Sequence, residues 1–80
     1  MELPRRKSRQ RERIYEAIKS SHAHPSAQWI YELLKPEMPS LSLGNVYRNI
    51  AILLEEGRLQ AGEFGSGTVR YDAIVEPHYH

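Results

Sequence analysis

Asn45, Tyr47 and Arg48 stand within one short segment, and each carries a side chain suited to reading a nucleic-acid duplex. Arginine can bond guanine through two donors and asparagine can do the same to adenine. A tyrosine ring can cover a thymine methyl while its hydroxyl reaches a phosphate. Gly44 removes bulk just ahead of them, which lets the backbone come close to a partner, and Ser42 stands where a helix would begin. Ordinary solvent-facing polar residues would look the same, so the element that carries them decides their meaning. A second charged feature lies upstream, where Arg5, Arg6, Lys7, Arg9, Arg11 and Arg13 are opposed only by Glu2 and Glu12. The chain as a whole carries a net charge of only +1. A basic arm on a near-neutral domain matches local phosphate contact, with counterion release supplying affinity. A solvated tail leading into a surface helix fits the cluster equally well. The candidate contacts taken from it are Arg5, Arg6, Lys7 and Arg11.

Three helices are needed to place these groups. Ile14, Ala17 and Ile18 recur at helical spacing within 8–20, and the segment ending at Pro25 interrupts the pattern. Pro25 disfavours helical geometry at His24, and Ser26 can cap the next helix. That second helix is predicted over 27–35, burying Ala27, Ile30, Leu33 and Leu34, with Pro36 and Pro39 ending it. Trp29 is expected to be partly buried against Leu33. A third helix runs from the Ser42 cap to position 56, with Gly57 placed to close its C-terminus. Its apolar stripe is Leu43, Val46, Ile50, Leu53 and Leu54; Gly44, Asn45 and Arg48 lie opposite, and Tyr47 sits at the edge.

Beyond Gly57 the texture changes to strand. Positions 59–64 and 68–73 flank Gly65-Ser66-Gly67, a turn suited to a hairpin. Val69, Tyr71 and Ala73 share one face of the second strand, Phe64 and Tyr71 are expected to close the hairpin on the helices, and Arg70 meets phosphate or solvent. The order of elements predicts a mainly α fold with a small β-hairpin, a winged helix-turn-helix. One domain over 1–80 is expected, with an arm at 1–8, a wing at about 59–73 and the start of a linker at 74–80.

Several function classes are set aside by composition. Without cysteine there is neither a disulfide framework nor a thiolate metal site. No apolar run reaches the ~18 residues of a membrane span, and none comes after the basic N-terminus as a secretory signal requires. A cytoplasmic protein is expected. No nucleophile elbow, phosphate loop or His-Glu-x-x-His is present, so no enzyme is expected. A winged helix devoted to protein–protein contact is the stronger rival, and salt dependence separates it from a phosphate-bound domain.

The segments Ser8-Arg9-Gln10-Arg11, His24-Pro25-Ser26-Ala27-Gln28-Trp29-Ile30-Tyr31, Ser42-Leu43-Gly44-Asn45-Val46-Tyr47-Arg48-Asn49-Ile50 and His78-Tyr79-His80 resemble, in the same order, the successive signatures of the ferric uptake regulator family. The resemblance covers nearly the whole chain. It implies a repressor domain with Tyr47 and Arg48 in the major groove of operator DNA. Arg6 or Lys7 would lie near the adjacent minor groove, where AT-rich operators are narrow and negative. It also implies a regulatory metal held by His24, Asp72, His78 and His80. Aspartate at 72, six residues before His78, is closer to the peroxide-sensing branch than to the iron-uptake branch. That branch implies bound Fe(II) or Mn(II), with iron-catalysed oxidation of His24 or His78 releasing the repressor from DNA. A zinc- or manganese-responsive regulator of the same family is the alternative. The family's homodimers form through a C-terminal domain with a structural zinc site and a further carboxylate ligand, none of which this sequence contains. A fragment cut at the domain boundary, with an incomplete regulatory site, is therefore expected.

The residues' own chemistry is compatible with that ligand set. His78 and His80 alternate, so in an extended segment both rings face one side. Imidazole and carboxylate without sulfur suit Fe(II), Mn(II) or Zn(II). The same residues would also serve as a chain terminus, a backbone-bonded histidine and a turn-capping aspartate. His22 has no obvious partner and reads as a surface residue.

Overall fold

The computed structural model describes residues 8–21, 23–63 and 67–74. Three helices come first, α1 (Arg9–Ser20), α2 (Ala27–Leu34) and α3 (Leu43–Glu55), followed by strands β1 (Leu59–Glu63) and β2 (Val69–Ala73). Each helix starts on a serine in extended conformation. The Arg11 amide donates to Ser8 Oγ at 3.2 Å, the Trp29 amide to Ser26 Oγ at 3.2 Å, and the Asn45 amide to Ser42 Oγ at 3.1 Å. A cap of this kind contributes about 1 kcal/mol by satisfying a donor that the helix cannot. Leu41 and Val46, on either side of the Ser42 cap, are both sealed in the core, the arrangement of a hydrophobic staple.

The helices meet over Ile14 and Ile18 of α1, Ile30 and Leu34 of α2, and Val46, Ile50 and Leu53 of α3, none more than 1% exposed. Complete burial of such side chains contributes about 1.5–3 kcal/mol each. At the end of α3 the chain reverses through Gly57, whose φ is 76°. The Gly57 amide donates to the Leu54 carbonyl at 3.0 Å and the Arg58 amide to the Leu53 carbonyl at 2.9 Å. These two bonds form a Schellman closure, which needs a left-handed residue at this point. They turn the chain into the antiparallel hairpin, where Leu59 opposes Ala73 and Ala61 opposes Tyr71. Leu59 and Tyr71 are buried and fasten the hairpin to the helical core. The Tyr71 amide donates to the Pro25 carbonyl at 3.0 Å, so the loop before α2 lies along the outer edge of β2. The result is a winged helix. Among the described residues no helix is long and apolar enough to cross a membrane.

Some expectations about packing are corrected. Leu33 is 48% exposed and Trp29 44% exposed, four residues apart on the outward side of α2. That helix is short, and only Ala27, Ile30 and Leu34 are buried, with Tyr31 partly buried beside them. Leu54 and Val69 are also exposed, because the core ends at Leu53 on one side and at Tyr71 on the other. The helices and strands end within a residue of the predicted bounds. Phe64 and most of the predicted glycine turn lie outside the described residues.

Two predictions test this account. A Cβ at Gly57 would meet no neighbour, so Gly57→Ala isolates the cost of the left-handed backbone. Urea titration should show a loss of about 1–2 kcal/mol; unchanged stability would refute the closure described. Burial, reinforced by the nearby Tyr47 phenol, raises the Tyr71 pKa above the usual 10.0. The folded state therefore favours the protonated phenol, and the resulting stability is complete below about 10 and lost as pH rises through the higher folded value. An absorbance titration should show one tyrosine ionising after the others, a phase absent in Tyr71→Phe. Simultaneous ionisation of all tyrosines contradicts the burial.

Candidate nucleic-acid interface and metal ligands

Packing divides α3 lengthwise. Val46, Asn49, Ile50 and Leu53 turn inward, while Tyr47, Arg48 and Ala51 are exposed and Gly44 and Asn45 border the open side at the helix start. Tyr47, at 53% exposed, projects well beyond the apolar stripe. At Gly44 an added Cβ would meet only Ser42 Oγ, at 3.9 Å. Internal packing does not demand glycine there, and the bare start of the helix is open to a partner.

The arginines sort into two groups. Arg13 forms a two-pronged pair with Glu37, Nε to Oε2 at 2.6 Å and Nη2 to Oε1 at 3.0 Å, and this holds the Glu37 carboxyl below its ordinary range. Arg58 makes a similar pair with Glu12, at 2.9 and 3.1 Å, and lies 4.2 Å from the centre of the Tyr15 ring. Arg70 donates to the His24 carbonyl at 3.3 Å, which corrects the phosphate-or-solvent expectation for its side chain; its Nε is buried without a partner among the described residues. Arg48 and Arg9 remain exposed and, among the described residues, enter none of these ion pairs.

Arg11 requires a correction. It is only 7% exposed, and its Nη1 donates to Asn49 Oδ1 at 3.3 Å inside the domain. The side chain expected to contact phosphate is therefore engaged inside the domain. The signal was present in the sequence: Arg11, Ile14 and Ile18 share one helical face, so the stripe that buries the isoleucines takes Arg11 with them. Arg9, which sequence reasoning did not select, is the exposed cation of that first turn. It borders a cleft of about 370 Å³ with Gln10, Glu37, Met38 and Ser40, at the turn leading into α3. A second cleft of about 330 Å³ lies beside Tyr47, bordered by Ser26 and Gln28 at the start of α2 and by Thr68 and Val69 of the wing. Gln28 stood in a signature segment without an assigned role and Thr68 in no motif; only the fold brings them beside Tyr47. Arg5, Arg6 and Lys7 lie outside the described residues.

Of the four residues suggested for metal, His24 and Asp72 are described and His78 and His80 lie outside the described residues, as does His22. His24 is exposed and has a φ of 50°, a left-handed conformation for a residue with a side chain. Bonds from Arg70 to the His24 carbonyl and from Tyr71 to the Pro25 carbonyl hold this loop beside the strand that carries Asp72. Imidazole nitrogen and carboxylate oxygen fit a hard or borderline divalent ion. Among the described residues, no group of three or more potential ligands comes together. The described part thus supplies compatible donors on adjoining segments but not a complete coordination set.

The comparisons with known proteins agree with this architecture. The model of the ferric uptake regulator family matches residues 3–80. A peroxide-responsive repressor, PerR, of Staphylococcus aureus is 34% identical over 71 residues, which are 89% of this chain and 48% of that protein. The solved PerR of Streptococcus pyogenes superposes with a TM-score of 0.80 at 35% identity, over 85% of this chain and 47% of that one. A zinc-bound manganese uptake regulator gives 0.81 at 26% identity, over 91% and 55%. The chain spans about half the length of the curated relatives it matches. With nearly every residue inside the family match, the chain belongs to the ferric uptake regulator family.

Proposed function

We propose that this chain is the DNA-binding domain of a metal-dependent transcriptional repressor. The observation that carries the reading is the outward face of α3. Arg48 and Tyr47 are exposed on a helix whose other side is sealed, whereas Arg13 and Arg58 are engaged by carboxylates. Arg48, Tyr47 and Asn45 read base edges, the helix start at Ser42 and Gly44 lies against the backbone, and the arm at Arg5, Arg6 and Lys7 neutralises phosphates or tracks the minor groove. Arg9 joins this basic edge in place of Arg11. The described fold offers no comparable support for a hydrolytic enzyme, whose chemistry needs an enclosed pocket. A protein-docking module finds its best support in the exposed Trp29 and Leu33.

The regulatory reading rests on kinship and on donor chemistry. His24, Asp72, His78 and His80 would hold Fe(II) or Mn(II), or Zn(II), in the longer protein. The metal, when bound, supplies a positive charge shared by these segments and, if it is iron, reactivity towards peroxide. The chain's own part is to present unprotonated imidazoles and a carboxylate from a loop fixed along β2. Similarity to a peroxide-responsive repressor and aspartate at 72 favour peroxide as the signal; similarity to a manganese uptake regulator keeps metal supply as the second reading. The repressor would act in the cytoplasm as a homodimer joined through a second domain. Joining two readers raises the effective concentration of each at its half-site.

Two measurements test these readings. Arg48→Ala should cost about 1–3 kcal/mol on a duplex selected by the protein and relax preference at one base position. Equal losses on the selected and scrambled duplexes would remove Arg48 as a base reader, and an affinity insensitive to added salt would favour the docking module. For the metal, calorimetric titration of the longer protein with Mn(II) should show binding that weakens as pH falls through the imidazole range, since ligands must lose their protons. Asp72→Ala should weaken it further. Binding unaffected by that substitution excludes Asp72 from the site.

A further inference from the structure

Four hydrogen bonds join the start of α3 to the start of α1. The Asn45 amide donates to Ser42 Oγ at 3.1 Å, and the Asn45 carbonyl accepts from Asn49 Nδ2 at 2.9 Å. Asn49 Oδ1 accepts from Arg11 Nη1 at 3.3 Å, and the Arg11 amide donates to Ser8 Oγ at 3.2 Å. The two side chains at the centre are the only buried polar or charged residues among those described, Arg11 at 7% and Asn49 at 8% exposure. A guanidinium removed from water is costly unless its donors are met, so Arg11 has strong reason to stay with its partners. Asn49 uses both ends of its amide. The nitrogen grips its own helix one turn back, and the oxygen reaches a residue 38 positions earlier.

A core of aliphatic side chains fixes helices against separation but permits small rotations and slides. Directional bonds between buried polar groups restrict those freedoms, because a shift leaves a donor unpaired. Here they link the two places where the proposed DNA contacts originate. Ser42 starts the helix that carries Tyr47 and Arg48, and Ser8 comes directly after the segment that contains Arg5, Arg6 and Lys7.

We propose that this relay fixes the register between the start of α1 and the reader helix, and that Arg11 and Asn49 are positioning residues for sequence-selective binding. The proposal rests on the DNA-binding reading above and adds a division of labour to it. Phosphate contacts tolerate a small misplacement of α3, whereas a two-donor bond to one base edge does not. Weakening the relay should therefore lower discrimination rather than overall attraction.

The test uses the full chain and a duplex it recovers from a randomised pool, compared with a scrambled duplex of the same composition. Arg11→Met fills similar space but leaves the buried Asn49 Oδ1 without this donor, so the thermal midpoint should fall while the domain stays folded. Asn49→Asp keeps an acceptor for Arg11 and removes the donor to Asn45. In both variants, helical content checked by circular dichroism, the ratio of selected to scrambled affinity should fall about tenfold, most of the value of one two-donor base contact. Binding to the scrambled duplex should stay comparable. A folded variant of either kind that keeps the ratio within about twofold overturns the relay. If Arg11→Met does not fold, Asn49→Asp alone decides. Recovery of no common sequence by the parent chain overturns the DNA-binding reading and the relay with it.

Discussion

The recognition face depends on the contact between α3 and α1. Val46, Ile50 and Leu53 can be buried only if the other side of the helix faces outward, and Ile14 and Ile18 provide the surface that buries them. Because the helix repeats every 3.6 residues, fixing those positions also fixes the direction of Tyr47 and Arg48. Leu41 and the Ser42 cap then set where the helix begins, so packing chooses the outward side and the starting point, and the buried Arg11–Asn49 bond limits the small rotations that remain. The wing is secondary to this contact. Leu59 and Tyr71 hold the hairpin against a core that the helices have already formed.

Charge is allocated as strictly as apolar surface. A count of arginines near the N-terminus suggests a continuous basic strip, yet Arg11 is inside and Arg13 is held by Glu37. Among the described residues of that stretch Arg9 alone stays exposed, and sparse charge favours selective contact over general attraction to polyanions. Arg58, paired with Glu12 and stacked on Tyr15, ties the base of the hairpin to α1. These exposed or half-exposed pairs add little stability individually. Their larger effect is to keep carboxylates and guanidinium groups from competing for the open face.

The parts of the fold legible in the sequence were those governed by near neighbours. The serine caps at 26 and 42, the proline break at 25 and the closure at Gly57 each depend on a few adjacent residues, and all were expected; the cap at Ser8 was not. The outward position of Arg48 also came from periodicity. Leu33 was misplaced because its burial depends on whether a distant element covers it, and hydropathy does not contain that information. Arg11 was misread for a different reason: its charge was weighed as if on a tail, while its position on the Ile14–Ile18 face placed it inside. Gln28 and Thr68 became candidates only through the contact of the wing with α2. On the metal side, family resemblance named four ligands, and the described residues reach only as far as His24 and Asp72.

The bond from the Tyr71 amide to the Pro25 carbonyl has a consequence for solubility. A two-stranded sheet offers free backbone groups at its margins, and such margins invite pairing with another molecule. Along β2 one donor is already occupied, and the segment occupying it is headed by a proline that has no amide to offer onward. At that position the strand edge meets the molecule's own loop, and the proline has no donor to extend the ladder outward. A residue that reads in sequence as a helix breaker also closes one point of the sheet's open margin.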